Sequence, residues 1–331
     1  MRKLIFILFL LVSAPRFFSC SGESNETVIA VIPKGTTQVF WQTVHAGAIK
    51  AAKELNVKIN WIGTEKEDDR KQQITLVDNQ AMNRISGIVL APLDNMALRR
   101  PVKRAVQNHI PVVIMDSGLK DSEDLTVSFV ATDNREGGHL AGREMAKILG
   151  GKGKVVLLRY QEGSASTENR EDGFLETLKE YPGIEVVSDE QYAGSTTATA
   201  QQASENLLFR FRDAKGNLTI DGIFCVNESS TYGMLQALRR QRLAGSVKFI
   251  GFDASPPLVE GLKQKEISGL IVQNPFNMGY LSVKTMYQHL KGEKVPKRID
   301  TGVVFVTPEN MNTPEMKELI SPDLEKWLSR H

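Results

Sequence analysis

The sequence predicts an α/β protein of two lobes, each built on a mainly parallel sheet with helices on both faces. From Thr27 onward, short apolar runs bounded by turn residues alternate with segments whose apolar residues recur at helical spacing. This alternation is typical of parallel sheets covered by helices. About ten strands are predicted, more than one ordinary sheet accommodates, so two sheets in two lobes are favoured.

The predicted elements follow one another with little interruption. Strand 28–32 is a continuous apolar run, and helix 40–55 carries Phe40, Val44 and Ala48 at helical spacing. Further strands are predicted at 57–62, 88–91, 111–115, 127–131, 154–159, 184–187, 220–226 and 247–252. Further helices are predicted at 68–82, 95–108, 135–149, 171–181, 196–212 and 230–241.

Four apolar runs each stop on a polar side chain that can form hydrogen bonds. These side chains are Asp116, Asn227, Asp253 and Gln273. In open α/β sheets, ligands bind outside the carboxyl ends of the strands. Because polar side chains stand repeatedly at that position, the sequence predicts a polar ligand pocket.

Length and charge exclude several classes of protein. The chain has 331 residues, enough for about two ordinary domains. Its hydrophobic content of 41% and charged content of 24% are normal for a soluble globular protein. A net charge of +2, without a block of basic residues, argues against nucleic acid or an anionic membrane surface as a partner.

The N-terminus predicts export. Arg2 and Lys3 precede a nine-residue apolar stretch that is too short to span a membrane, so residues 1–19 are interpreted as a signal peptide. Cys20 stands where this stretch gives way to a polar linker, residues 20–26, and we predict that it is lipidated. Ordinary signal cleavage nearby, leaving a free cysteine, is the alternative.

The sequence shows no catalytic machinery. The five histidines have neither metal-ligand spacing nor a nucleophile motif beside them. No dinucleotide fingerprint or P-loop occurs in the required strand–helix context. We therefore predict that the protein is not an enzyme, and that it has no cofactor and no metal site.

Two further features indicate binding. Phe40 and Trp41 open the first helix, and because adjacent helical positions cannot both face the core, at least one ring should face a cleft. Arg170 precedes the helix predicted at 171–181, where the helix dipole disfavours a cation. That position suggests a role in the pocket, although a surface ion pair explains it equally well.

Several segments carry a family resemblance through their order and spacing. They are Val39-Phe40-Trp41, Ile110 to Asp116, Ala131-Thr132-Asp133-Asn134, Asn169 to Phe174, Val226-Asn227-Glu228, Gly251-Phe252-Asp253 and Gln273-Asn274-Pro275. From about Val28 to Thr307, the chain resembles the ribose-binding-like branch of the type I periplasmic sugar-binding proteins of bacterial ABC importers.

This resemblance implies two Rossmann-like lobes joined by a three-strand hinge, with crossings near 131–133, 273–274 and 303–307. The first lobe would comprise residues 27–132 and 274–303, and the second 133–273 and 304–331. Matched positions imply that Phe40 and Trp41 stack on a sugar ring. Asp116, Arg170, Asn227, Asp253 and Gln273 would bind its hydroxyls.

The chain departs from the family pattern at three places. Ser117 stands where ribose binders carry an arginine, Gln38 stands where asparagine is common, and the segment at Gly194 and Ser195 lacks an aromatic ring. A serine cannot replace the planar fork of arginine. We therefore expect Gln38 and Ser117 to line an enlarged pocket that binds a neutral monosaccharide other than ribose.

Two hypotheses for the function remain. The first is a lipid-anchored, monomeric receptor outside the cytoplasm that delivers a small sugar to an ABC permease. The second is a receptor of the same fold that signals to a membrane sensor on binding a sugar or a furanone-type signal. A transcription factor is disfavoured because residues before Thr27 provide no helix-turn-helix.

Overall fold

Residues 26–83 and 85–329 are described by a computed structural model, and their strands form two six-stranded sheets. The strands are β1 (Val28–Ile32), β2 (Lys58–Trp61), β3 (Gly87–Leu90), β4 (Val112–Met115), β5 (Ser128–Ala131), β6 (Lys152–Arg159), β7 (Gly183–Tyr192), β8 (Gly222–Cys225), β9 (Lys248–Phe252), β10 (Gly269–Gln273), β11 (Arg298–Asp300) and β12 (Val303–Val306).

Helices cover both faces of each sheet. They are α1 (Val39–Leu55), α2 (Arg70–Met82), α3 (Arg99–Gln107), α4 (Asn134–Leu149), α5 (Ala165–Leu178), α6 (Thr197–Arg210), α7 (Glu228–Arg240), α8 (Pro256–Lys263), α9 (Pro275–Leu290), α10 (Pro314–Ile320) and α11 (Glu325–Leu328). Each sheet therefore has an apolar core on both of its faces.

The strand order confirms the predicted fold class. The first sheet has the order β11-β5-β4-β3-β1-β2, and all its pairs are parallel. The second has the order β12-β10-β9-β8-β6-β7 and is parallel except for the pairing of β12 with β10. In each sheet the strand order reverses at the strand that comes first in the chain, β1 in the first sheet and β6 in the second. Open α/β sheets form ligand crevices at such a reversal.

The chain crosses between the sheets at three places. It leaves the first sheet after β5, leaves the second sheet after β10, and returns to the second between β11 and β12. The third crossing therefore lies at Thr301 and Gly302, slightly before the predicted 303–307, because Val303 already pairs with Gln273.

The C-terminal segment contacts both lobes, since Met316 packs in the second core while Trp327 lies against Phe276.

The prediction for α5 was wrong by about two turns. The helix begins at Ala165 rather than at residue 171, so Arg170 lies inside it and not at its N-terminus. Glu168 accepts a hydrogen bond from the backbone N–H of Gly163 at 2.7 Å, which stabilises this earlier start. Arg170 therefore does not lie at a helix N-terminus, and the helix dipole gives no reason to assign it to the pocket.

A pair of glycines fixes the position of Arg170 through close packing of α4 and α5. A Cβ on Gly138 would lie 2.1 Å from the carbonyl oxygen of Arg170. A Cβ on Gly173 would lie 2.2 Å from the carbonyl oxygen of Arg135. Because neither position has room for a side chain, the two helix backbones approach each other closely and hold Arg170 at the inner edge of its lobe.

The predicted signal peptide at 1–19, Cys20 and nearly all of the predicted linker at 20–26 lie outside the described residues. Within the described part of the chain, no helix combines the length and the apolar character needed to cross a membrane.

Candidate functional site

A small pocket between the lobes brings together most of the predicted site residues. Its cavity volume is about 30 Å³. The predicted residues that line it are Gln38, Phe40, Trp41, Asp116, Arg170, Asn227, Asp253 and Gln273. A larger cleft of about 720 Å³ lies beside the C-terminal segment, but Gln273 is the only predicted residue in its lining. The convergence of polar and aromatic side chains favours the small pocket as the site.

The two strand-end aspartates have unusual backbone conformations. Asp116 directly follows β4 with φ of 61°, and Asp253 directly follows β9 with φ of 70°. Aspartate is one of the few residues besides glycine that adopt this left-handed region, and conformations of this kind cluster at ligand sites. Both turns aim a carboxylate into the pocket.

Asp253 is the centre of a hydrogen-bond network. Gln273 Nε2 donates to its Oδ1 at 2.7 Å, and the backbone N–H of Glu228 donates to its Oδ2 at 3.0 Å. Burial raises the pKa of Asp253, while the charge of Arg170 opposes that rise. Gln273 Oε1 is buried and has no hydrogen-bond partner among the described residues, so it is a ready acceptor for a ligand hydroxyl.

Arg170 is held by the surrounding protein on one side. Its Nε donates to Asn134 at 2.8 Å and its Nη1 to the carbonyl of Val226 at 2.9 Å. Its guanidinium lies 3.8 Å from the centre of the Phe252 ring. Burial lowers the pKa of Arg170, and the nearby carboxylates of Asp253 and Asp116 oppose that effect. The fixed guanidinium faces the pocket with donors suited to hydroxyl oxygens.

Three aromatic side chains form the apolar part of the pocket. Phe40 and Trp41 pack edge to face with their ring centres 4.8 Å apart, and both are buried at the start of α1. Tyr160, directly after β6, approaches from the second lobe. The Tyr160 hydroxyl donates to Glu67 at 2.6 Å, and Trp41 Nε1 donates to the other oxygen of that carboxylate. Burial raises the pKa of Glu67.

Lys34 supplies a cation beside Asp116. Its Nζ lies 3.0 Å from Oδ2 of Asp116, and both side chains are almost fully buried. The same ammonium donates to Ser166 Oγ at 2.9 Å and to Ser164 Oγ at 3.2 Å, at the start of α5. Lys34 therefore joins the Asp116 carboxylate of the first lobe to a helix of the second.

Ser117 and Ser195, two of the positions that depart from the family pattern, do not line the pocket. Ser117 does not line the pocket; its Oγ accepts the Ser166 backbone N–H, and Lys34 provides the neighbouring cation instead. Ser195 also points elsewhere and donates to Asp68 at 2.6 Å. The Tyr160 carbonyl accepts the backbone N–H of Gly194, and Tyr160 itself lines the pocket. The expected enlargement of the cavity stays a prediction.

Asn227 and Gln38 line the pocket in different ways. Asn227 caps α7, since its Oδ1 accepts from the backbone N–H of Ser230 at 3.1 Å, and its Nδ2 donates to Ser229 Oγ. Its buried side chain is thus fixed before any ligand arrives. Gln38 is the N-cap residue of α1, but its side chain makes no capping hydrogen bond.

Direct contacts hold the two lobes together around the pocket. The backbone N–H of Phe40 donates to Glu228 Oε2 at 3.0 Å, and Gln161 Nε2 donates to the carbonyl of Glu67 at 2.8 Å. Asn95 donates its backbone N–H to the carbonyl of Gly163 at 2.8 Å. Burial raises the pKa of Glu228 to about 7, because the ionised carboxylate is poorly solvated there. This is a closed arrangement of the lobes.

The sequence analysis missed Lys34, Glu67, Tyr160 and Glu228. All four follow the carboxyl ends of strands, namely β1, β2, β6 and β8. A search of the whole loop after each strand and of the first residue of the next helix would therefore have found them. In residues 26–83 and 85–329, no cluster of His, Cys, Asp or Glu could hold a metal ion.

Comparisons with known proteins identify the family. A family model described as "Periplasmic binding protein domain" matches residues 29–294. The chain is 28% identical to the ribose import binding protein of Haemophilus influenzae over 87% of this chain and 94% of that protein. It is also 28% identical to the D-allose-binding periplasmic protein of Escherichia coli, over 80% of this chain and 85% of that one.

Solved structures agree with these relatives. A carbohydrate transporter solute-binding protein from Agrobacterium radiobacter, in complex with D-arabinose, is 36% identical with a TM-score of 0.84. The match covers 90% of this chain and 99% of that one. A solute-binding protein from Agrobacterium vitis with bound D-fucose has the same identity and TM-score, and the coverage is 88% and 99%. The chain therefore belongs to the periplasmic binding protein family, whose members bind solutes and are not enzymes.

These findings confirm the family resemblance and the type I fold that it implied. They also agree with the prediction that the protein is the solute-binding component of a sugar ABC transporter. The roles of individual residues in the pocket and the exact lobe boundaries stay predictions.

Proposed function

We propose that the protein captures a neutral monosaccharide between its lobes outside the cytoplasm and delivers it to an ABC permease. The observation that carries this proposal is the buried Oε1 of Gln273, which has no hydrogen-bond partner among the described residues. A buried acceptor without a partner costs about 1–3 kcal/mol, and a ligand hydroxyl would recover that free energy. Relatives named for ribose and allose binding support the class of ligand.

The pocket matches the chemistry of a sugar. Carboxylate and amide oxygens of Asp116, Asp253 and Gln273 accept from hydroxyl groups, and Arg170 and Asn227 donate to them. The rings of Phe40 and Trp41 cover the apolar C–H face of the sugar ring. We propose that the pocket also accepts ribose, because Lys34 supplies the cation that Ser117 lacks.

Lobe closure is the proposed mechanism of capture. Sugar bound to Asp253 and Gln273 of the second lobe would meet Phe40, Trp41 and Asp116 of the first, so the ligand adds contacts that only the closed form makes. A permease would recognise the surface of the closed form. The lipid on Cys20 would keep the mature protein, expected to be a monomer, at the outer face of the membrane.

A signalling receptor of the same fold is the second candidate. It would use the same pocket and closure, and it would differ in the protein that recognises the closed form. Pull-down of membrane proteins by the sugar-loaded lipoprotein tests the choice. Recovery of an ABC permease supports transport, whereas recovery of a sensor kinase without a permease contradicts it.

A further inference from the structure

One wall of the pocket has already used its hydrogen-bond donors. We call it the saturated wall and define it by Lys34, Trp41, Glu67 and Tyr160, each of which is at most 6% exposed. The ammonium of Lys34 has three N–H groups, and it has three acceptors in Asp116, Ser164 and Ser166 at 3.0, 3.2 and 2.9 Å.

The hydrogen-bond donors in the rest of the saturated wall are also engaged. The indole of Trp41 has one N–H and the phenol of Tyr160 has one O–H, and both donate to Glu67. They use different oxygens of that carboxylate, so each oxygen already accepts a bond from within the wall. The wall therefore has no N–H or O–H group left for a ligand, while each Glu67 oxygen keeps one further lone pair.

The opposite wall has unused hydrogen-bonding capacity. Gln273 Oε1 is a buried acceptor in this wall and has no partner in the described chain. Arg170 uses Nε and Nη1 for Asn134 and Val226, and its Nη2 is engaged in no hydrogen bond to another described residue. The pocket is therefore asymmetric: hydroxyl groups are matched on one side and carbon surface on the other.

A hydroxyl group at the saturated wall would be poorly matched. It would leave water, where it both donates and accepts, and the four residues of the saturated wall would have no unused N–H or O–H to donate to it. This mismatch disfavours a ligand with a polar exocyclic group at this end.

We propose that the ligand is an aldopentose or a 6-deoxyhexose, whose ring CH₂ or methyl group faces the saturated wall, rather than the corresponding hexose. This inference rests on the proposed function and narrows it to a class of sugars. Its specificity-determining residues are Glu67 and Tyr160, which orient each other across the two lobes.

Calorimetric titration of matched sugars tests the inference. Each set holds the ring hydroxyl configuration constant: D-galactose, D-fucose and L-arabinose; D-glucose, 6-deoxy-D-glucose and D-xylose; D-allose, 6-deoxy-D-allose and D-ribose. In the set that binds best, the hexose should bind at least tenfold more weakly than its 6-deoxy or pentose counterpart. Equal or tighter binding of the hexose overturns this inference alone, whereas no binding of any monosaccharide overturns the proposed function as well.

Tyr160→Phe provides a second, independent measurement. Loss of the hydroxyl leaves one oxygen of Glu67 free to accept from a ligand, so the preference against the hexose should narrow by about tenfold. Tyr192→Phe is the matched control, because Tyr192 is 39% exposed and does not line the pocket. The same preference in Tyr160→Phe as in the wild type would contradict the role of the saturated wall.

Discussion

The Nζ atom of Lys34 lies 3.0 Å from Oδ2 of Asp116, and both side chains are only 4% exposed. The residues are far apart in sequence and follow different strands of the first sheet, β1 and β4. A buried carboxylate at the strand end is stable as an anion only if a cation or several donors stand beside it. Lys34 provides that cation and also binds the start of α5 in the other lobe.

Lys34→Met should destabilise the protein strongly. It leaves the Asp116 carboxylate buried without its cation, which typically costs about 3–5 kcal/mol of the free energy of unfolding. Urea unfolding measures the change. Lys58→Met is the matched control, because the Lys58–Glu26 pair is 66% and 52% exposed and should contribute less than about 1 kcal/mol. Equal, small losses in both variants would contradict the structural role of Lys34.

Asp253→Asn should weaken sugar binding while preserving the fold. Asparagine tolerates the left-handed conformation at φ of 70°, so the backbone is not strained, but the pocket loses a charged acceptor. A loss of about 1–3 kcal/mol corresponds to roughly a 5- to 150-fold weaker Kd. Titration calorimetry with the best-bound sugar is the measurement.

The control for Asp253→Asn is His139→Ala. His139 lies on α4 outside the pocket, where its Nδ1 pairs with Thr177 Oγ1 at 2.9 Å. Its loss should leave the Kd unchanged. If the Kd of Asp253→Asn lies within a factor of two of the wild-type Kd, Asp253 does not bind the sugar.

Glu228 should make the folded state less stable as the pH rises. Burial raises its pKa from 4.5 to about 7, so the folded protein holds this proton over a range where the unfolded chain has lost it. The stabilisation is present below about pH 4.5 and is lost between about pH 4.5 and 7, amounting to at most about 3 kcal/mol. Urea unfolding between pH 5 and 8 measures this loss.

Glu228→Gln should flatten that pH dependence, because glutamine does not titrate. Part of the dependence should remain in this variant, since burial also raises the pKa of Glu171 to about 7. Glu185→Gln, at an exposed position in β7, is the control for the substitution itself. Identical slopes in Glu228→Gln and the wild type would show that Glu228 does not carry the effect.

The fold and about half of the pocket follow from local sequence patterns. Asp116, Asn227, Asp253 and Gln273 could be predicted because each ends an apolar run. The pairing of Lys34 with Asp116 could not, because it depends on the neighbouring order of β1, β3 and β4 in the sheet. A pairing between residues so far apart in sequence is not visible when positions are compared one by one.

Tyr160 illustrates the same difficulty across the second sheet. Tyr160 lines the pocket close to the segment at Gly194, because β6 and β7 are adjacent and end at the same edge. The misplaced start of α5 has a different cause. Ala165, Ser166 and Thr167 lack the apolar periodicity on which the prediction of a helix depends, and the helix is stabilised there by contacts with Lys34 and Gly163.

Cys20→Ala should release the protein from the membrane or block its processing. Acyl chains on Cys20 are the proposed anchor, and two or more chains give stable attachment. Membrane fractionation and metabolic labelling with a fatty-acid analogue measure the result. Ser21→Ala is the control, since it leaves the proposed acceptor in place. Wild-type protein that carries no label and is wholly soluble would contradict lipidation.

Titration of the mature protein with a panel of neutral monosaccharides tests the central claim most directly. We predict one-to-one binding of at least one pentose or 6-deoxyhexose, accompanied by thermal stabilisation of roughly 2.7 kcal/mol at about 100 times its Kd. Asp253→Asn should lose roughly 1 kcal/mol or more of that stabilisation at the same sugar concentration. Failure of every monosaccharide to bind, with the protein folded, would contradict the assignment of the pocket to sugars.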